Sequence, residues 1–90
     1  MNTVFVLFKR ENFLTEAGRY QEYMCPAILG IFDDKFKAMD AGNEYAHTGM
    51  NWATEQRTGI HQTHTVLVAT NYTKDKHWRM DFEIFEWMVR

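Results

Sequence analysis

Gly30-Ile31-Phe32-Asp33-Asp34-Lys35-Phe36-Lys37-Ala38-Met39 opens the stretch, running on to Gly59, around which this chain is organised. Gly-Ile-Phe closes an apolar run, Asp33 and Asp34 offer side chains that cap a helix, and a helical pattern follows. Phe36, Met39, Asn43, Ala46, Met50 and Ala53 recur at a 3-4-3-4-3 spacing, which sets them on one helical face. Lys35, Lys37, Asp40, Glu44, His47, Asn51 and Glu55 fall mostly elsewhere. The pattern predicts one long amphipathic helix from about Asp34 to Arg57, terminated by Gly59, and its apolar stripe must lie on something. Gly42 and Gly49 sit on the flank of that stripe, each costing about 1 kcal/mol against Ala. They mark either a tolerated weakness, with a break near Thr48-Gly49, or the close approach of another backbone such as a partner helix.

The segments on either side read as strands. Asn2 to Phe8 is β-branched and aromatic without Gly or Pro, and both of its faces are apolar, as in a strand interior to a covered sheet. Lys9 to Tyr23 reads as a hairpin with a poorly ordered or helical tip, and Pro26 suits the start or edge position of the strand that ends at Phe32. Thr63 to Thr70 is the third strand, Asn71 to Trp78 the turn, and Arg79 to Val89 the fourth. In the fourth, the apolar phase slips after Ile84, as a β-bulge would make it. The expectation is one α+β domain over residues 1–90, a four-stranded antiparallel ββαββ sheet with one long helix across one face.

Composition narrows the function. Ninety residues at 46% hydrophobic and 24% charged make one globular domain. Aromatics reach 16%, more than one helix on a small sheet can cover, so a second subunit is expected to bury part of that surface. The net charge of −2 supplies neither the basic patch of a nucleic-acid binder nor the dense acidity of a mimic, and no direct nucleic-acid contact is expected. The chain contains no Ser, which excludes serine nucleophile catalysis. Its single cysteine, Cys25, reads as a small apolar residue rather than a nucleophile. No signal peptide or membrane span is legible, and the expected location is cytoplasmic.

Val4-Phe5-Val6-Leu7-Phe8, then Gly30 to Met39, then Phe82-Glu83-Ile84-Phe85-Glu86 resemble a class of small uncharacterised proteins of phages and mobile elements. That class follows a plan of strand, Gly-aliphatic-Phe-Ser/Asp-x-x-x-Lys-Ala helix, and strand with alternating acids. The resemblance covers about half the chain. The segment Trp52 to His64 and the extra strand depart from it. It implies a small accessory or host-takeover protein, placed in the host cytoplasm, rather than a metabolic enzyme, and it transfers no functional residue.

Candidate chemistry is sparse. His61-x-x-His64 has a suggestive spacing, but at a strand entry positions i and i+3 face opposite ways, so no metal or other cofactor is expected there. Asp81, Glu83 and Glu86 alternate as the solvent face of a strand ordinarily does. The richest set mixes polar and aromatic residues: Asn51, Trp52, Arg57, His61, His64, Tyr72, Trp78 and Arg79. Trp, Tyr and Arg dominate interface hot spots. Two readings follow. In the first, the chain is a non-enzymatic, homodimeric interaction protein that inhibits a host protein or protein complex, in the manner of an anti-defence or anti-CRISPR factor. In the second, it captures or cleaves a nucleotide-like ligand at a subunit interface with Arg57, His61 and His64.

Overall fold

The structure, a computed structural model, describes residues 2–23, 26–58, 63–72 and 76–89. It corrects the expected architecture: six strands and one short helix replace four strands and one long helix. The strands are β1 (Asn2–Leu14), β2 (Tyr20–Glu22), β3 (Ala27–Phe32), β4 (Ala53–Thr58), β5 (Thr63–Tyr72) and β6 (Trp78–Val89). The helix α1 spans Lys35–Ala46. All pairings are antiparallel, in the order β2-β1-β6-β5-β4, with β3 also on β1.

The long strands β1 and β6 form the spine, paired from Asn2↔Val89 to Phe13↔Trp78. The other edge of β1 is shared: β2 takes Asn12 to Leu14, and β3 takes Phe5 to Lys9. The expected hairpin between β1 and β2 is present. Thr15 N–H donates to Arg19 O (2.8 Å), Gly18 N–H to Thr15 O (2.9 Å), and Gly18 takes φ +79°, a conformation that glycine adopts without strain. From β3 at one edge the chain crosses the sheet through α1 and reaches β4 at the far edge.

The helix is half the expected length for reasons visible at its two ends. Asp34 caps the start, its Oδ1 accepting from Phe36 N–H (2.7 Å) and Lys37 N–H (3.3 Å). At the other end His47 takes the left-handed conformation, φ 58° and ψ 28°. His47 N–H then donates to Glu44 O and Thr48 N–H to Asn43 O, both at 3.1 Å, which closes the helix in a Schellman arrangement. The side chain of Asn43 completes the reversal, its Oδ1 accepting from Met50 N–H and from Trp52 Nε1–H, both at 3.0 Å. Trp52 thus folds back onto the helix that was expected to contain it. A Cβ on buried Gly42 would lie 2.8 Å from Trp52 Cζ2 and 3.0 Å from Cη2. The close approach at Gly42 is real, but the neighbour is an indole ring of the same chain. Ala53 to Thr58, whose Ala, Glu, Gln and Arg favour a helix locally, pairs instead with β5 from Ala53↔Val68 to Thr58↔Thr63. Tertiary pairing overrides propensity there.

The core lies between α1 and one sheet face. Leu7, Ala38, Phe82 and Ile84 are its buried centre, with Phe5, Leu29, Phe32, Met39, Trp52 and Leu67 packed around it. Ala38 and Gly42 carry the buried contact of the helix, and small residues there let it sit close to the strands. Phe36, expected on the apolar stripe, is 60% exposed. The expected bulge in the last strand is absent, since β6 keeps continuous register with both β1 and β5. The phase slip in its sequence has a different cause: Phe82 and Ile84 face the helix, while Phe85 packs edge-on against Phe8 (5.3 Å) on the opposite face. An irregularity does occur at Leu7/Phe8 against β3, where Gly30 and Ile28 are the successive partners and Leu29 is the extra residue. Among the described residues, no helix is long and apolar enough to cross a membrane.

Candidate functional site

The eight candidate residues do not form one surface. Trp52 is half-buried on the helix side, edge-to-face with Phe82 at 6.5 Å; it belongs to the core. Asn51 is exposed just before β4. Arg57 lies on β4, cross-strand from His64 of β5, and faces away from the helix. His61 lies outside the described residues, as does Cys25. Tyr72, Trp78 and Arg79 come together at one end of the sheet, where β5 ends and β6 begins.

The helix-free face carries two charged clusters built by strand register. Glu83, 5% exposed, is held between Arg10 Nε (3.1 Å) and Arg57 Nη1, and Arg57 Nη2 also reaches Glu55 at 3.1 Å. Burial opposes the Arg57 charge, but hydrogen bonds to Glu55 and Glu83 outweigh it and raise its pKa. The Arg57 guanidinium lies 5.8 Å from the Phe85 ring centroid. Further along β6, Asp81 accepts from Asn12 Nδ2 and Thr70 Oγ1, both at 3.0 Å, and from Arg79 Nε at 3.2 Å. Asp81 and Glu83, expected to face solvent, are therefore half-buried and buried respectively and engaged by these partners, while Glu86 is exposed as expected. Sequence reasoning missed Arg10 and Asn12 as their partners; the signal available was their two-residue spacing, matching that of Asp81 and Glu83 on the strand opposite. The arginines of this face are neutralised by neighbouring carboxylates, and no group of three His, Cys, Asp or Glu among the described residues is placed to hold a metal ion.

The sheet end is different in character. Phe13 of β1 and Trp78 of β6 are cross-strand partners with rings 6.2 Å apart. Tyr23 follows β2, anchored by its N–H to Glu11 O at 2.8 Å, and its ring meets Trp78 edge-on at 5.1 Å and Phe13 at 6.3 Å. With Leu14 and His77 these rings line a shallow depression of about 350 Å³. On the other face of the same end, Arg79 stacks over Tyr20 at 4.6 Å, Tyr20 packs against Tyr72 at 5.9 Å, and the Tyr20 hydroxyl donates to Lys76 O at 2.8 Å. Tyr23 is 59% exposed and Tyr72 47%, so the aromatic end combines fixed rings with accessible ones. Phe13, Tyr20 and Tyr23 are not among the candidate residues, because only strand register brings them there: the β1–β6 pairing sets Phe13 beside Trp78, and the β1–β2 hairpin sets Tyr23 beside Trp78 and Tyr20 beside Tyr72 and Arg79.

No family model, curated protein or solved structure matches this chain.

Proposed function

We propose that this chain is a small interaction protein that binds another protein through the aromatic end of its sheet. The observation that carries the reading is the depression of about 350 Å³ lined by Phe13, Leu14, Tyr23, His77 and Trp78. It is shallow and apolar, with rings braced against one another, and suits an apolar side chain projecting from a partner protein. Rings held in place before binding lose little conformational entropy when a partner arrives. Tyr72, Trp78 and Arg79 of the candidate set belong to this end; Trp52 is assigned to the core instead. The resemblance to phage and mobile-element proteins extends the proposal to a partner in a host macromolecular machine, which the chain inhibits by occupying its surface. A nucleotide-binding reading is weaker, because a phosphate at Arg57 would have to displace Glu55 and Glu83.

The test is affinity capture from host lysate with wild-type, Tyr23→Arg and Arg57→Ala proteins, read by native mass spectrometry. A protein partner retained by wild type and Arg57→Ala, and lost by folded Tyr23→Arg, supports the reading. Capture of a ligand of a few hundred daltons that depends on Arg57 overturns it.

A further inference from the structure

The sheet has two unlike edges. At β4 the edge strand reads Ala-Thr-Glu-Gln-Arg-Thr, and its charges disfavour pairing with another strand. At β3 the edge strand reads Ala27-Ile28-Leu29-Gly30-Ile31-Phe32, with no charge at all. Among the described residues β3 pairs only with β1, so its outer N–H and C=O groups present a template for a further strand. Ile28 and Ile31 are 59% and 63% exposed. The irregularity opposite Leu7/Phe8 gives them a common direction: Ile28 is the partner of Phe8 and Ile31 that of Val6, which both face away from the helix. Leu29, the extra residue, packs toward the core. The edge therefore carries two isoleucines on one face, continuous with Phe8 and Phe85.

We propose that β3 pairs antiparallel with β3 of a second copy of this chain, forming a homodimer with one sheet continuous across the two-fold axis. β3 carries no charge, and its faces read the same from either end about the Leu29–Gly30 junction, with Ile28 and Ile31 on one face and Ala27, Leu29 and Phe32 on the other, so a two-fold copy sets like faces together. An axis through the Leu29–Gly30 junction sets Ile28 opposite the partner subunit's Ile31, and Ala27 opposite the partner subunit's Phe32. The four exposed isoleucines, two from each copy, then lie against one another. Asp33 and Asp34 are already engaged, with Lys37 and with the helix cap. The edge is distinct from the aromatic end, so this inference stands without the partner-binding proposal.

The test is the solution mass of the purified chain by light scattering across a dilution series, for wild type, Ile28→Lys, Ile31→Lys and the opposite-edge control Thr54→Lys. Far-UV circular dichroism checks that each variant is folded; both isoleucines are exposed, so the protomer has no need of them. The expected result is a wild-type dimer whose dissociation constant rises about thirtyfold or more in each isoleucine variant, the size of an interface hot spot, and is unchanged in Thr54→Lys. A wild-type monomer at every concentration overturns the proposal and leaves the edge to a strand of another protein. A dimer that survives both isoleucine variants, or that only Thr54→Lys breaks, overturns it equally.

Discussion

Replacing Gly42 by alanine tests how the helix ends. In an ordinary helix interior this change gains about 1 kcal/mol in propensity. Here the new Cβ would sit 2.8 Å from Trp52 Cζ2, and the indole is held by its hydrogen bond to Asn43, so it cannot swing clear. Overpacking of that kind costs about 1–3 kcal/mol, and after the propensity gain the net expectation is a loss of up to about 2 kcal/mol. Trp52→Leu removes the ring that reaches Gly42 and itself costs about 2 kcal/mol. In that background Gly42→Ala should recover its propensity gain of about 1 kcal/mol, giving a coupling equal to the overpacking cost, about 1–3 kcal/mol, in the double-mutant cycle. Urea unfolding followed by circular dichroism reads all four proteins. In a continuous helix from Asp34 to Arg57 the two residues would stand about 15 Å apart along the axis, and alanine would stabilise both backgrounds equally. That equality would refute the chain reversal at His47.

Three further outcomes follow from the same contacts. Asn43→Ala removes the acceptor of two hydrogen bonds, from Met50 N–H and Trp52 Nε1–H, and should cost about 2 kcal/mol in a urea titration. Asp34→Ala removes the helix cap and should cost about 1 kcal/mol, whereas Asp33→Ala, which loses only an exposed ion pair with Lys37, should leave the urea midpoint at pH 7 close to that of wild type. The hydrogen bond and charge of Lys37 lower the Asp33 pKa, so its small contribution is present above the unfolded value near 3.8 and fades as pH falls through the lower folded one; a stability difference that grows below pH 3 would contradict this. Glu83→Ala removes the buried carboxylate shared by Arg10 and Arg57; both arginines keep access to water and Arg57 keeps Glu55, so the cost should be about 1–2 kcal/mol in the same titration, more than for Glu86→Ala on the exposed end of the same strand.

The strands were largely legible. Val4 to Phe8, Ala27 to Phe32, Thr63 to Thr70 and Arg79 to Val89 carry β-branched and aromatic runs, and each lies in a strand. The helix start was equally plain, because Asp34 caps locally and the signal needs no tertiary context. Its end was not. His47 is not a glycine, yet it takes the left-handed conformation that closes the helix, and the Asn43 side chain that fixes the reversal accepts from Met50 and Trp52, a contact that no helical period encodes. Ala53 to Thr58 misread for the same reason: its residues favour a helix, and only β5 alongside makes it a strand. The candidate surface was half legible. Tyr72, Trp78 and Arg79 share one end by chain proximity, but Phe13, Tyr20 and Tyr23 join them only through strand register. Trp52 is a candidate by residue type and by its place near the expected helix end, and the reversal after His47 turns it into the core instead.

The claim that the aromatic end meets a partner protein is tested most directly by site-specific photo-crosslinking in host cells. A benzophenone amino acid placed at Tyr23, with Thr54 on β4 as the control position, reports which surface another protein touches. The account predicts one discrete crosslinked protein band from position 23 and none from position 54. No band at 23, or the same bands from both positions, would contradict it.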